Sequence, residues 1–210
     1  MSGCYPILLK TDGRKCVVVG GGEVAERKVR GLLEADSSVV VISPALNEGL
    51  GRLAKEGLIQ VLLREYKNGD IEDKAILVFA ATDRTEINMA VATEARQRGI
   101  PVNVADDPGN CDFFLPSTLR RGDLVIAVST CGQSPALARK IREELEEFLP
   151  EEYAALCALL SDVRQELRRR GAAPAPHQWQ SAIDADLRAL LRQGLYGEAR
   201  TRLLLGLEPQ

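Results

Sequence analysis

Between residues 15 and 106, short apolar runs alternate with stretches whose apolar positions recur every three or four residues. Lys15-Cys16-Val17-Val18-Val19 is almost uniformly apolar and ends at Gly20-Gly21-Gly22. That pattern predicts a buried strand followed by a tight turn. From Glu23 the period becomes helical, with Ala25, Val29, Leu32 and Leu33 at i, i+4, i+7 and i+8 on one apolar face. Glu23 with Arg27, and Glu26 with Arg30, are acid-first i,i+4 pairs, the favourable order on a helix. Residues 39–42 predict a second strand, closed by Ser43-Pro44. A helix over 47–56, strands over 58–63 and 76–80, a helix over 86–98 and a strand over 101–104 follow. Gly99 is placed to end the last helix in the left-handed conformation. Strands alternating with helices predict a parallel sheet with right-handed crossovers. Consecutive apolar positions within the strands predict helices on both of its faces.

After Asp106 the pattern changes. Asp107-Pro108-Gly109-Asn110 is turn-rich. Residues 113–120 and 124–129 predict two strands of a hairpin around Arg121-Gly122-Asp123. Ser134-Pro135 has the N-cap and N1 chemistry of a helix start, with Leu137, Ile141, Leu145 and Phe148 at helical spacing. Beyond Pro150 a further helix carries Leu156, Leu160, Val163 and Leu167 and closes on Arg168-Arg169-Arg170, cations at the negative end of the dipole. A Gly/Ala/Pro linker over 171–176 precedes helices over 178–192 and 196–205. The expected fold class is therefore α/β: a Rossmann-like parallel sheet, then a small α+β region, then an all-helical C-terminal region. The expected boundaries are 1–112, 113–149 and 150–210.

Composition narrows the picture. The chain has 210 residues, 45% hydrophobic and 27% charged, ordinary for a globular protein long enough to bury a core. Lys and Arg number 27 against 30 Asp and Glu, a formal net charge of -3, which argues against sequence-independent nucleic-acid binding. No apolar run approaches a membrane span, and the N-terminus lacks the pattern of a signal peptide. The five cysteines, Cys4, Cys16, Cys111, Cys131 and Cys157, show no C-x-x-C spacing. Neither a disulfide framework nor a zinc site is expected, and a cytoplasmic location is. His177 is the sole histidine, so a His-dependent triad or a His-rich metal cage is excluded. It falls after the linker and is expected to be exposed.

Four segments could carry chemistry. Gly20-Gly21-Gly22-Glu23-Val24-Ala25 reads G-x-G-x-x-A between a strand and a helix, the context of a dinucleotide fingerprint. Gly20 permits the turn, Gly22 lets backbone approach a pyrophosphate, and the helix N-terminus offers free N–H groups. Where such folds usually place a ribose-binding acid, this chain has Ser43-Pro44 with no adjacent Arg, which favours NAD over NADP. Thr82, in Ala80-Ala81-Thr82-Asp83, either faces the cofactor or caps the next helix. Asp106, after the fifth strand, is either a general base beside the nicotinamide or a turn aspartate. The polar loop from Ser129 through Thr130, Cys131 and Ser134 is either a binding loop or the lead-in to a helix.

Taken together, these residues resemble one family. Residues 17–28, Ala80-Ala81-Thr82-Asp83 with Asn88, residues 103–108, Phe113-Phe114-Leu115-Pro116-Ser117 and the loop through Ser134-Pro135 resemble the precorrin-2 dehydrogenases. That family includes the bifunctional dehydrogenase–ferrochelatases of siroheme synthesis. The resemblance spans about residues 5–150 in order and spacing. It implies NAD-dependent oxidation of precorrin-2 to sirohydrochlorin, with insertion of ferrous or cobaltous ion as a further activity. It also implies a homodimer, with the region after Phe113 forming the dimer contact. Asp106 matches the family's catalytic carboxylate, and Glu23, Val24, Ser43 and Pro44 match cofactor-lining positions. No resident metal is implied.

The polycarboxylate substrate calls for local positive charge. Arg120, Arg121, Arg139 and Lys140 are candidates for it, or are ordinary surface charges. Ser129, Thr130 and Ser134 are candidate substrate contacts. Cys131 stands where many relatives have glycine, and Thr130 where some have serine. The methyltransferase domain of fused relatives is not found within these 210 residues. Two other readings remain: a non-enzymatic dinucleotide-sensing module, and a chelatase whose nucleotide site is vestigial.

Overall fold

The computed structural model describes residues 3–207. It divides into two compact units, Met1–Leu115 and Pro116–Gln210.

The first unit is a five-stranded parallel sheet. Its strands are β1 (Lys15–Val19), β2 (Ser38–Ile42), β3 (Gln60–Leu62), β4 (Ala75–Ala80) and β5 (Val102–Val104), in the order β3-β2-β1-β4-β5. The intervening helices are α1 (Glu23–Leu33), α2 (Glu48–Lys55) and α3 (Thr85–Gln97). Alternate strand residues serve opposite faces. Val17, Val19, Val40, Ile42, Val78 and Ala80 pack with Val91, Ala92 and Ala95 of α3. Cys16, Val18, Val39, Val41, Leu77 and Phe79 pack with Ala25, Val29 and Leu32 of α1 and Leu50 and Leu53 of α2. Covering both faces explains the consecutive apolar positions. Each fully buried Val contributes about 1.5–3 kcal/mol relative to exposure.

The second unit begins with the hairpin β6 (Ser117–Arg121) and β7 (Leu124–Val128), antiparallel, with Arg121 opposite Leu124. Gly122 turns it at φ 56°, in the left-handed region. Helix α4 (Pro135–Phe148) packs against both strands. Four helices follow: α5 (Glu152–Arg169), α6 (Pro176–Ala182), α7 (Ala185–Arg192) and α8 (Tyr196–Leu207). Leu156, Leu159, Val163, Leu187, Leu191 and Leu203 form their common core. Glu152, at the start of α5, pairs with Arg192 of α7 at 2.7 Å.

Three expected elements differ. The third strand is only Gln60–Leu62, not 58–63, because it borders β2 alone at the sheet edge. The sixth strand starts at Ser117, not at Phe113. The preceding residues are instead bound to β5. Asp112 accepts the Val102 N–H at 3.0 Å, and the Asn103 amide donates to the Phe113 carbonyl at 3.0 Å. The expected helix 178–192 is two helices, because Ile183 leaves the helical region and Asp184 caps α7, accepting the Leu187 N–H at 2.8 Å. Gly99 ends α3 at φ 68° as expected. His177 is exposed on α6, and the five cysteines are free thiols. Among the described residues no helix is long and apolar enough to cross a membrane.

The long connection between β3 and β4 is held by a buried acid. Glu94 of α3 is 3% exposed. Its carboxylate accepts the Tyr66 hydroxyl, the Gly69 N–H at 2.9 Å, the Ile71 N–H at 3.2 Å and the Arg98 Nε–H at 2.9 Å. Burial pulls its pKa up, but these donors together pull it further down, below the ordinary glutamate range. A depressed pKa means the native state favours the carboxylate. Its stabilisation is complete above the unfolded value of about 4.3 and is lost as pH falls through the folded value. Glu94→Ala should cost about 3 kcal/mol in chemical denaturation at neutral pH. Glu94→Gln should flatten the acid limb of stability against pH.

Candidate functional site

The strand order reverses direction between β1 and β4, so the loops after these strands diverge there. This is where α/β sheets open a crevice at their carboxyl ends. A cavity of about 770 Å³ lies at that point, lined from the ends of β1, β2, β4 and β5. The strand ends hold one another just below it. Gly20 N–H donates to the Ile42 carbonyl at 2.9 Å, Ala81 N–H to Val19 at 2.8 Å and Ala105 N–H to Ala80 at 2.8 Å.

The three glycines have three different reasons. Gly20 has φ 132°, and a Cβ there would lie 2.2 Å from the Ala81 carbonyl oxygen. A Cβ on Gly21 would lie 1.8 Å from the Ala45 carbonyl oxygen and 2.6 Å from Ser43 Oγ. At Gly22 a Cβ would meet no protein atom within 4 Å. Gly22 is the N-cap of α1 and has no side chain to satisfy the first-turn N–H groups. Those donors, the dipole and the open space over Gly22 fit a pyrophosphate. Glu23 and Val24 line the cavity from the same turn.

Ser43 and Pro44 also line it. The Ser43 hydroxyl donates to the Ala45 carbonyl at 2.7 Å, shaping the turn that meets Gly21. That turn is anchored from α1. Asn47 caps α2, accepting the Leu50 N–H at 2.9 Å, and its amide donates to Glu26 at 2.6 Å. Glu26 also accepts from Arg30 at 2.6 Å. Arg30 first and Asn47 second hold its carboxyl below the ordinary range. The expected Glu26–Arg30 pair thus forms and does more than a surface pair. Among the described residues Glu23 and Arg27, by contrast, form no ion pair, while Glu26 pairs with Arg30.

Thr82 lines the cavity, and its hydroxyl serves the loop as well. It donates to Asn88 Oδ1 at 2.7 Å and accepts the Arg84 N–H at 3.2 Å. Asn88, 7% exposed, returns a bond from Nδ2 to the Thr82 carbonyl at 3.0 Å. Arg84, not Thr82 or Asp83, is the N-cap residue of α3.

The structure places Asp106 in a turn whose residues border the cavity. It is a turn residue with φ 58°, exposed, and it lines the cavity on the loop after β5. Ser43-Pro44 line the same cavity from β2, two strands to the other side of the reversal.

Ser129, Thr130, Ser134, Arg120 and Arg139 belong to the second unit. The three hydroxyls organise their own loop. Ser129 accepts the Cys131 N–H at 3.1 Å, Thr130 accepts the Ser134 N–H at 2.8 Å, and Ser134 caps α4 through the Leu137 N–H at 3.3 Å. Cys131 takes φ 51°, a left-handed position that suits glycine. Arg139 pairs with Glu143 at 3.2 Å and Lys140 with Glu144 at 3.7 Å, while Arg121 binds the Leu149 carbonyl at 2.8 Å. Arg120 lies exposed on β6.

Some residues at the site gave no signal in the sequence. Glu65 and Tyr66 line the cavity from a loop without a motif. Lys28 of α1 lies over the Phe79 ring, 5.9 Å from its centroid, and Phe113 meets that ring edge-on at 5.5 Å. Burial first, then the Arg27 charge, push the Lys28 ammonium below the ordinary lysine range, against the opposing pull of Cys111 and Asp106.

Comparison with known proteins places this geometry. Residues 7–117 match the family described as "Putative NAD(P)-binding", and residues 121–147 the family described as "Sirohaem biosynthesis protein central". The chain is 39% identical over 203 residues to a siroheme synthase of Methylococcus capsulatus, covering 95% of this chain and 42% of that protein. It is 44% identical over 165 residues to a siroheme synthase of Methylobacillus flagellatus, covering 79% and 35% respectively. The chain thus spans about two fifths of the length of these curated relatives. A solved precorrin-2 dehydrogenase, SirC, shares the fold with a TM-score of 0.74 at 24% identity, covering 95% of this chain and all (100%) of that one.

Gly21 and Gly22 should separate folding from binding. Gly21→Ala should lower the melting temperature, because its Cβ has no room against Ala45. Gly22→Ala should leave melting nearly unchanged yet weaken dinucleotide binding at least about tenfold by calorimetry, because its Cβ intrudes only on the ligand.

Proposed function

We propose, for a chain that belongs to the NAD(P)-binding family matched over residues 7–117, that it catalyses NAD-dependent oxidation of precorrin-2 to sirohydrochlorin. The position of Asp106 carries this reading. It lines the β5 end of the cavity, opposite the β2 end where the adenosine half of a dinucleotide binds in such folds. The siroheme synthase relatives supply the substrate class.

When bound, the oxidised nicotinamide supplies the hydride acceptor. The chain's own residues do the rest. The first turn of α1, with Gly20 and Gly22, holds the pyrophosphate. Glu23, Val24, Ser43, Pro44 and Thr82 shape the walls around the cofactor. Asp106 accepts the substrate proton as hydride departs, so the step releases one hydride and one proton and leaves the carboxyl protonated until solvent exchanges it. NAD is proposed over NADP because the residues that line the cavity after β2, Ser43 to Asn47, include no cation. Arg84, the one Arg among the cavity-lining residues, is held by Glu86 at 2.8 Å and Glu65 at 3.2 Å. Ser129, Thr130, Ser134, Arg120 and Arg139 are proposed to serve the tetrapyrrole.

A homodimer is part of the proposal. The hairpin β6–β7 is a two-stranded sheet, which rarely stands alone. Leu137 and Phe148 of α4 are 51% and 74% exposed, although they belong to that helix's apolar stripe. A second copy would cover such a face.

Anaerobic incubation with precorrin-2 and NAD should give NADH and sirohydrochlorin in equal amounts, and NADP should support slower turnover. Asp106→Asn is the sharper variant, since asparagine tolerates the left-handed turn. It should cut turnover about 100-fold or more while leaving NAD affinity unchanged. Near-normal turnover would remove Asp106 from the chemistry. NAD binding without turnover in the parent protein would favour a sensing module. Phe148→Glu should shift the mass measured by light scattering from dimer toward monomer.

A further inference from the structure

We propose that Lys28 is a carboxylate-docking residue that fixes one acidic side arm of the substrate beside Asp106. The inference rests on the tetrapyrrole reading above and adds a specificity-determining residue to that site.

The argument begins with the face of α1 on which Lys28 sits. Ala25, Val29 and Leu32 bury that helix against the sheet. Lys28, three residues after Ala25, is carried to the same side and lies half-buried over Phe79 of β4. A lysine there would ordinarily find a carboxylate, because a partly desolvated ammonium is costly without one. The structure provides acids on this helix, but Glu26 is committed to Arg30 and Asn47. Lys28 forms no ion pair among the described residues. Arg27, its neighbour, likewise lacks the expected pair with Glu23. Among the described residues, two adjacent cations are therefore left without an ion-pair partner in a chain of formal net charge -3.

Their place identifies what they wait for. Lys28 is not among the residues lining the dinucleotide cavity. It lies over Phe79, which pairs across the sheet with Asn103 of β5, three residues before Asp106, and Asp106 and Cys111 both bear on its ammonium. The titratable groups that bear on it are Arg27 on its own helix and, on the segment after β5, the Asp106 carboxylate and the Cys111 thiol, whose pKa burial raises. Asp107 and Asp112 act on Cys111 in turn. Asp107 is turned to Asn110 at 2.7 Å and Asp112 to Arg96 at 3.1 Å. Neither is spare to neutralise the ammonium. An anion that arrives with the substrate, outside the cofactor cavity and next to the proposed base, meets an ammonium already positioned by Phe79. Positioning by packing lowers the ordering cost of a lysine contact.

The test uses the full chain with Lys28→Met, which keeps the stem over Phe79, and Lys28→Arg, which keeps the charge. Two ligands are titrated: sirohydrochlorin, and 1,2,4,5-benzenetetracarboxylate, a polycarboxylate that cannot be oxidised here. Lys28→Met should weaken both about tenfold, the worth of one charge-assisted contact. Its KM for precorrin-2 should rise with kcat largely kept, and NAD affinity should not move. Lys28→Arg should restore binding. Unchanged affinity of Lys28→Met for the tetracarboxylate would overturn the docking role. If the parent protein fails to oxidise precorrin-2, the dehydrogenase reading falls by itself. The tetracarboxylate titration then still decides whether Lys28 holds a carboxylate.

Discussion

The site depends on backbone approaching backbone. Gly20 lies where a Cβ would strike the Ala81 carbonyl, and Gly21 where one would strike the Ala45 carbonyl. Those contacts draw the loops after β1, β2 and β4 to one level. Without them the reversal of strand order would leave a gap rather than a shaped cavity. Side chains then secure what the glycines permit. Glu26 and Asn47 lock the loop after β2 to α1, and Thr82 with Asn88 lock the loop after β4. Glu94 fixes the loop that brings Glu65 and Tyr66 to the rim. The Glu26–Asn47 and Glu94 locks join segments more than twenty residues apart, so those parts of the cavity form only once the sheet is complete.

Charge placement follows a similar logic. Net charge says little about a site, because fields are set by what stands nearby and what is already paired. Most cations of the second unit that seemed available for an acidic substrate are tied to their own helix or hairpin. Arg139 and Lys140 pair one turn along α4, and Arg121 holds the turn after it. Such exposed i,i+4 pairs are worth little to stability, yet they occupy the charge. Among the described residues of the first unit, Lys28 has no ion pair, and Arg27, which the helical spacing paired with Glu23, has none either.

The strands and helices of the first unit were legible because burial on both faces leaves an unbroken apolar run, and helix faces leave a 3.6 period. Where the reading slipped, a specific contact overrode the local pattern. Phe113 and Phe114 look like strand residues, but Phe113 packs edge-on against Phe79 and its carbonyl is taken by Asn103. Residues 178–192 look like one helix. Yet Asp184 caps a new one and is held there by Arg202 at 2.6 Å, from a helix eighteen residues further on. Neither partner is visible in a local window.

The order of elements, the glycine turn after the first strand and an aspartate after the fifth were determined by local chemistry. Period, turn propensity and N-terminal dipole act within a few residues, and so they are written in the sequence. Only the tertiary structure decided that Glu26 reaches α2, that Glu94 gathers a loop, and that Lys28 faces Phe79 instead of solvent. Those roles depend on which side of a helix meets the sheet and which carboxylates are already engaged, and both are settled only when distant segments pack together.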